Sequence, residues 1–458
     1  MTTVSYPSPA ESANLSSRKK LRHWKLWRPI GLDLSGLPLG SHESAIYIVS
    51  LIVQQRIYDQ SLKYEEYVPL KKEYLRKYIP KEELEFVLDY LIHETKQIEC
   101  DGLYYSEKSG GKGKCLGYKL SEDLEAAKPT VHYVHDALLR RKLSAWKREK
   151  NKGKHRPVHK HLTAWLNKVE VDDLMAAEAI EELCRKPLKQ REPWESQKPS
   201  SAKVRRRHRR LYAQAAVLDL KDEAELVITV DPYGRGHSII TNLPTELRKC
   251  LRIDGHHLVG LDIVNSQPLV LAVLLSQQQK SVLTGVSLKS KLGGGEAGMP
   301  LLCPNHDNDI WNQDLSAFRK ACEEGRFYES MAGYELTDPQ VRNTFKQCFF
   351  QEVLFGKNKR KTRSLTAFQT SFPTAWKIIC DIKRKDHCHL SHNLQRCESK
   401  IIFAICDRLR IEHPHVPLVT IHDSILTTPD HVSTVRTYIL DEFATYGFTP
   451  SLKEETYA

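Results

Sequence analysis

Two acidic residues stand where short apolar runs stop. In HHLVGLDIVNSQPLVLAVLL the run Leu258–Leu261 ends on Asp262, and a second apolar run opens past Pro268. In HVPLVTIHDSILTTPDHV the run Val416–Ile421 leads into His422-Asp423, and Ile425–Thr428 leads back. Two β-rich runs around a tight polar tip predict a hairpin, so Asp423 is expected at a hairpin tip and Asp262 at the end of a strand that passes into a helix. Either acid alone reads most simply as a turn or capping residue. Brought together, two carboxylates repel one another unless a divalent cation neutralises both. Oxygen ligands holding two such ions suit in-line phosphoryl transfer, one ion at the attacking oxygen and the other at the leaving group. Magnesium is the expected cofactor, two ions per site, with manganese as the alternative.

A third element supplies positive charge. In DPQVRNTFKQCFFQEVLFGKNKRK, Arg342, Lys346 and Phe350 recur at four-residue steps, which places them on one face of a helix. Triphosphate oxygens need cations and a base needs a flat surface, and this face offers both. The whole chain leans the same way: 458 residues carry 69 Lys and Arg against 57 Asp and Glu, a net charge of +12, which favours a polyanionic partner. Eleven cysteines without paired spacing argue for reduced thiols and a cytoplasmic setting. His387, Cys388, His389, His392 and Cys397 lie close in sequence but match no usual zinc spacing. No run approaches the roughly 18 apolar residues of a membrane span, so no membrane partner is expected.

The elements that must position these residues divide the chain into four stretches. Residues 1–40 are rich in Ser, Pro and Lys and predict a flexible basic arm. Within 41–125, three helical runs are followed by strand-like runs at Leu103–Tyr105 and Cys115–Leu120 around a basic, Gly-rich tip. Helix, helix, helix, hairpin is the order of a winged helix. Lys112 and Lys114 at the tip are candidates for phosphate contact, while Glu82, Glu83, Glu85 and Asp89 on the third helix oppose it. Residues 126–225 hold basic helices suited to gripping a duplex backbone. Residues 226–458 carry the chemistry, interrupted near 276–310 by a Gly-rich segment read as a flexible insertion.

With these motifs in order, the stretch from about 225 to 458 resembles the superfamily that joins family A DNA polymerases to single-subunit, phage-type RNA polymerases. Asp262 resembles the first catalytic Asp of that family's palm, and Ile421–Ser424 resembles its third motif, whose Asp supplies the second metal ligand. Arg342, Lys346 and Phe350, followed by Phe355-Gly356, resemble the fingers helix that holds the triphosphate and stacks on the nascent pair. DPYGR, Asp231 to Arg235 with Gly234, resembles the Asp-x-x-Gly-Arg element that contacts template. The resemblance implies an α+β, right-hand polymerase with an antiparallel palm sheet and helical fingers, preceded by the winged-helix domain and by basic helices that would supply a thumb. Its partners would be a DNA template and primer and nucleoside triphosphates.

The pattern departs from the family in ways that bear on the sugar. Gln267 stands where the DNA polymerases carry a Glu that walls off a ribose 2′-hydroxyl. Phe355 lacks the hydroxyl with which the RNA enzymes select ribose. Ser424 and DPYGR lie closer to the RNA polymerases, and the Phe-Gly pair falls one residue further from Lys346 than in those enzymes. Gln395 and Glu398 sit on the helical run before the third motif, facing either the primer-template minor groove or solvent. A DNA-directed DNA polymerase, such as a replication protein of a mobile element, is the leading expectation. An RNA polymerase or primase using the same residues, and a DNA-binding regulator with an inactive palm, are the alternatives.

Overall fold

The computed structural model describes residues 24–58, 67–104, 115–127, 129–151, 156–187, 202–221, 226–284, 308–357 and 362–457. It forms two compact units, one from Met1–Lys152 and Ala176–Glu225, the other from Gly153–Met175 and Leu226–Ala458. The basic stretch 126–225 is thus divided between them. Helices and antiparallel strands are mixed throughout, and every strand pair given below is antiparallel.

The first unit runs from β1 (Lys25–Pro29) through the helix His42–Tyr58 to β2 (Val68–Pro69), the helices Lys72–Leu75 and Lys81–Asp89, β3 (Ile98–Cys100), β4 (Gly117–Leu120) and β5 (Pro129–Tyr133). β1 pairs with β5, and β2, β4 and β3 form a second small sheet in that order. The helix His42–Tyr58 buries Ile46, Ile48, Val49 and Ile52 because its apolar residues fall on nearly every side, as a central helix requires. Its Glu43 carboxylate accepts from the backbone N–H groups of His135 (2.6 Å) and Asp136 (2.8 Å).

Two expectations change here. Residues 24–40 are not a free arm: Leu26, Trp27, Leu32, Leu34 and Leu37 enter the core, and β1 gains its ladder from β5, a partner too distant in sequence to be read from local composition. The first hairpin strand falls at Ile98–Cys100 rather than Leu103–Tyr105. Gly102, with φ of 63°, ends the strand, and the Asp101 carboxylate caps the bend by accepting from the N–H groups of Leu103 and Gly117. Lys112, Lys114 and the rest of the expected tip lie outside the described residues, as do residues 1–23.

The second unit holds β6 (Glu170–Val171), β7 (Thr229–Val230), β8 (Gly236–His237), β9 (Leu251–Ile253), β10 (His256–Ile263), β11 (Val419–Ile421), β12 (Ser424–Thr427) and β13 (Leu452–Tyr457). Its main sheet has the order β11-β12-β10-β9-β6, with β13 also on β10. β10 is the hub: it pairs with β12 over Val259–Asp262 and with β13 over Leu258–Ile263. Leu258, Val259, Leu261 and Ile263 are all buried, which explains why this strand reads as a continuous apolar run rather than an alternating one. Helices Ser266–Thr284, Pro339–Cys348 and Cys388–Glu412 follow. The first extends into the segment expected to be an insertion, which is therefore helical as far as Thr284; residues 285–307 lie outside the described residues.

Candidate active site

β10 and the β11–β12 hairpin bring the two aspartates together. Asp262 is the cross-strand partner of Ser424, the residue after Asp423, and Ile421 pairs with Ser424 across a two-residue turn made by His422 and Asp423. A turn this tight between right-twisted strands calls for a positive φ at its first position, and His422 supplies it at 52°. A non-glycine residue in that region costs about 1–3 kcal/mol, so the surroundings must hold it. His237 packs edge-on against His422, ring centroids 5.8 Å apart. At the other corner Asn265, with φ of 55°, turns the chain from β10 into the helix Ser266–Thr284, a conformation Asn tolerates better than most residues.

Burial and then the charge of Asp423 lift the Asp262 carboxyl from 3.8 to about 6, while Lys346 and Lys453 work in the opposite direction. Among the described residues, neither aspartate forms a salt bridge. Two unpaired carboxylates with oxygen donors only are a fitting ligand set for a hard divalent cation.

Behind them lies a buried carboxylate. Glu398, on the 25-residue helix Cys388–Glu412, was expected in the minor groove or on a solvated face but is 3% exposed. Arg235 Nη2 donates to its Oε1 at 2.6 Å, and Gln267 Nε2 donates to its Oε2. Burial, then the charge of Asp423, pushes Glu398 up to about 7 against the pull of Arg235 and Gln267. Gln267 is itself buried on the first turn of its helix, and its Oε1 has no hydrogen-bond partner among the described residues. One carboxylate thus joins the DPYGR turn, the start of the helix after β10 and the long helix.

Asp231 builds the DPYGR turn. Its Oδ1 accepts from the N–H groups of Tyr233 (2.8 Å) and Arg235 (2.9 Å), and its Oδ2 meets His237 Nε2 at 3.1 Å. Burial raises Asp231, but these hydrogen bonds outweigh it and hold the carboxyl below its ordinary value. The hairpin then lies along the long helix: Tyr233 stacks on His392 at 4.3 Å, Gly234 faces Ser399, and a Cβ on Gly236 would come within 2.9 Å of the Phe403 ring. Gln395 sits half-buried on the same helix, its backbone carbonyl accepting from the Ser399 hydroxyl.

The expected basic face is present with one change of phase. Lys346 is exposed, its ammonium 5.8 Å from the Phe350 ring centroid. Arg342, one turn earlier, is held by Glu329, Nε to Oε1 at 2.7 Å, so Lys346 is the cation of this helix that acts on Asp262. After Cys348 the helix widens into a π-turn over Phe349–Leu354, with Phe355 N–H donating to the Phe350 carbonyl. A π-turn takes up one extra residue, which accounts for the longer step from Lys346 to Phe355-Gly356. Phe350 and Phe355 remain neighbours, 5.5 Å between centroids. Gly356 is required, since a Cβ there would meet the Gln351 carbonyl oxygen at 2.3 Å. Lys383 seals the end of the turn by donating to the carbonyls of Val353 and Gly356, and burial pushes its ammonium down to about 8.

The sequence reading passed over Lys453 and weighed Glu398 towards solvent. Of the His/Cys cluster, His387 and Cys388 bring donor atoms together with the neighbouring Asp386 among the described residues, and the three are consecutive and half-exposed or exposed. Asp386 accepts from the Cys388 N–H just ahead of the long helix, an ordinary Asx-turn role.

No family model matches the chain, and no curated protein matches it. Among solved structures it is similar to the POL domain of Pol1 from M. smegmatis, in complex with DNA primer-template and dNTP, with a TM-score of 0.40 and 10% identity over 70% of this chain and 72% of that one. Among the described residues, no helix is long and apolar enough to cross a membrane.

Proposed function

We propose that the chain is a template-directed nucleotidyltransferase, a DNA-directed DNA polymerase, with Asp262 and Asp423 as its metal-binding carboxylates. The observation that carries this reading is the convergence of those two acids, one on β10 and one in the turn that enters its partner strand β12, with neither in a salt bridge among the described residues. Asp262 and Asp423 would hold magnesium, which when bound activates the attacking 3′-hydroxyl and neutralises the leaving pyrophosphate. Lys346 supports triphosphate binding from the helix above, with Arg342 oriented by Glu329 one turn away. Phe350 and Phe355 offer the flat surface for a base. Asp231 and Gly234 shape the turn that presents Arg235 towards the template, and Glu398 holds it there. Gln395 belongs to the same nucleic-acid-facing helix. The helices and small sheet of the first unit are read as a winged helix that would select duplex DNA.

A primer-extension assay supplied separately with dNTPs and NTPs, with and without primer, tests this reading. Incorporation of dNTPs on a primer is expected, and Asp262→Ala or Asp423→Ala should abolish it while leaving duplex binding nearly intact. Substantial synthesis by either variant would refute the metal assignment, and incorporation from neither nucleotide set would refute the activity.

A further inference from the structure

The register of the main sheet brings to Asp262 a cation from near the end of the chain. β13 pairs with β10 so that Lys453 is the direct cross-strand partner of Asp262, just as Ser424 is on the opposite edge. Directly opposed residues of an antiparallel pair share a face, their Cβ atoms about 4.5–5.5 Å apart. Lys453 therefore stands beside the Asp262 carboxylate on one face of the sheet.

The remaining charges on β13 have partners. Glu454 receives a hydrogen bond from Arg436 at 2.8 Å, and Glu455 receives one from the Tyr457 hydroxyl at 3.0 Å. Lys453 is exposed and, among the described residues, closes on no carboxylate, not even the one opposite. Lys346, arriving from the helix Pro339–Cys348, is likewise exposed and without a salt bridge. An exposed lysine gains little from closing on a half-buried carboxylate, so the Lys453 ammonium is left available to an anion.

We propose that Lys453 is a phosphate-binding residue of the active site, standing beside Asp262 to receive phosphate groups of the substrate. The ligand is the polyphosphate of the incoming nucleotide or the phosphodiester of the strand being extended, which share the same chemistry. This rests on the nucleotidyl-transfer reading, but its test needs no synthesis and can fail independently of it.

Calorimetric titrations of the full chain with sodium tripolyphosphate and with a short primer-template duplex, both in calcium to prevent turnover, separate the two sources. Lys453→Ala should weaken one probe by about 10-fold, the size of a single charge-assisted contact, and Lys453→Arg should restore it to within about two-fold. Loss of tripolyphosphate affinity alone assigns the nucleotide. Loss of duplex affinity, with the slope of log K against log salt reduced by about one, assigns the strand. Wild-type protein that binds neither probe, or a Lys453→Ala variant within about two-fold of wild type on both, overturns the proposal. The lysine is exposed, so the alanine variant is expected to fold, and an unchanged melting temperature verifies this.

Discussion

Asp262→Asn replaces one of two repelling carboxylates with a neutral side chain of the same size, and its effect on stability follows from the charge balance. Burial and Asp423 lift the Asp262 carboxyl from 3.8 to about 6, so the folded chain binds this proton more tightly than the unfolded chain does. Between those values the folded state holds more protons, stability falls as pH rises, and the full penalty is carried above about pH 6. At about 1.4 kcal/mol per pH unit, a shift of about two units corresponds to about 3 kcal/mol. Solvent screening of a partly exposed group reduces this to about 2 kcal/mol. Asn carries no such penalty. In EDTA at pH 8 the variant is therefore expected to melt about 4–8 °C above wild type, the equivalent of that energy for a unit of this size. The advantage should shrink through pH 6 and disappear near pH 4, while primer extension by the same variant is abolished. Scanning calorimetry across a buffer series reads it. A variant no more stable than wild type at pH 8, or a gain as large at pH 4 as at pH 8, would refute the reasoning.

Magnesium at pH 8 should raise the melting temperature of wild type more than that of Asp262→Asn, because only the folded acid pair offers the ion a site; equal shifts would argue for binding elsewhere. Glu398→Ala leaves the Arg235 guanidinium, 22% exposed, without its hydrogen-bond acceptor and should lose about 2–4 kcal/mol in urea unfolding, whereas Glu398→Gln removes a charge that burial and Asp423 already oppose and should lose little or gain slightly at pH 8. Losses that add fully when Glu398→Ala is combined with Arg235→Ala would show that the two do not act as a pair. Gly356→Ala forces a Cβ to within 2.3 Å of the Gln351 carbonyl oxygen and is expected to lose at least about 2 kcal/mol, with nucleotide incorporation reduced and duplex binding retained. Normal stability would mean that the turn yields more easily than its packing indicates.

The acid pair was legible because each aspartate ends an apolar run, and apolar runs that stop at a charge mark the place where a strand leaves the core. The spacing of Arg342, Lys346 and Phe350 announced a helix face, although the π-turn that follows it has no periodic signature. Glu398 is a different case. It falls on the stripe of Leu394, Ile401 and Ile405, all buried, so helical periodicity alone places it inside, and only the general reluctance of carboxylates to be buried pointed outwards. Its two partners, Arg235 and Gln267, come from other elements and leave no mark on the local sequence. Lys453 was hidden for the same reason: strand register is a property of the assembled sheet. Leu26 and Trp27 illustrate it again, since a strand that pairs with the distant β5 looks, in isolation, like part of a basic tail.

The π-turn at Phe349–Leu354 also separates two properties that an ordinary helix would link. Each residue of an α-helix advances the chain by about 100°, so one residue more or fewer between Lys346 and Phe355 is a rotation of the aromatic relative to the lysine. The π-turn absorbs one such residue, so sequence distance and facing direction come apart: shortening the stretch by one residue would return it to regular α-helix with Phe355 facing nearly as before and Lys346 unmoved. Removing a second residue would turn Phe355 by about 100°, which changes the direction of the aromatic without altering the identity of either side chain.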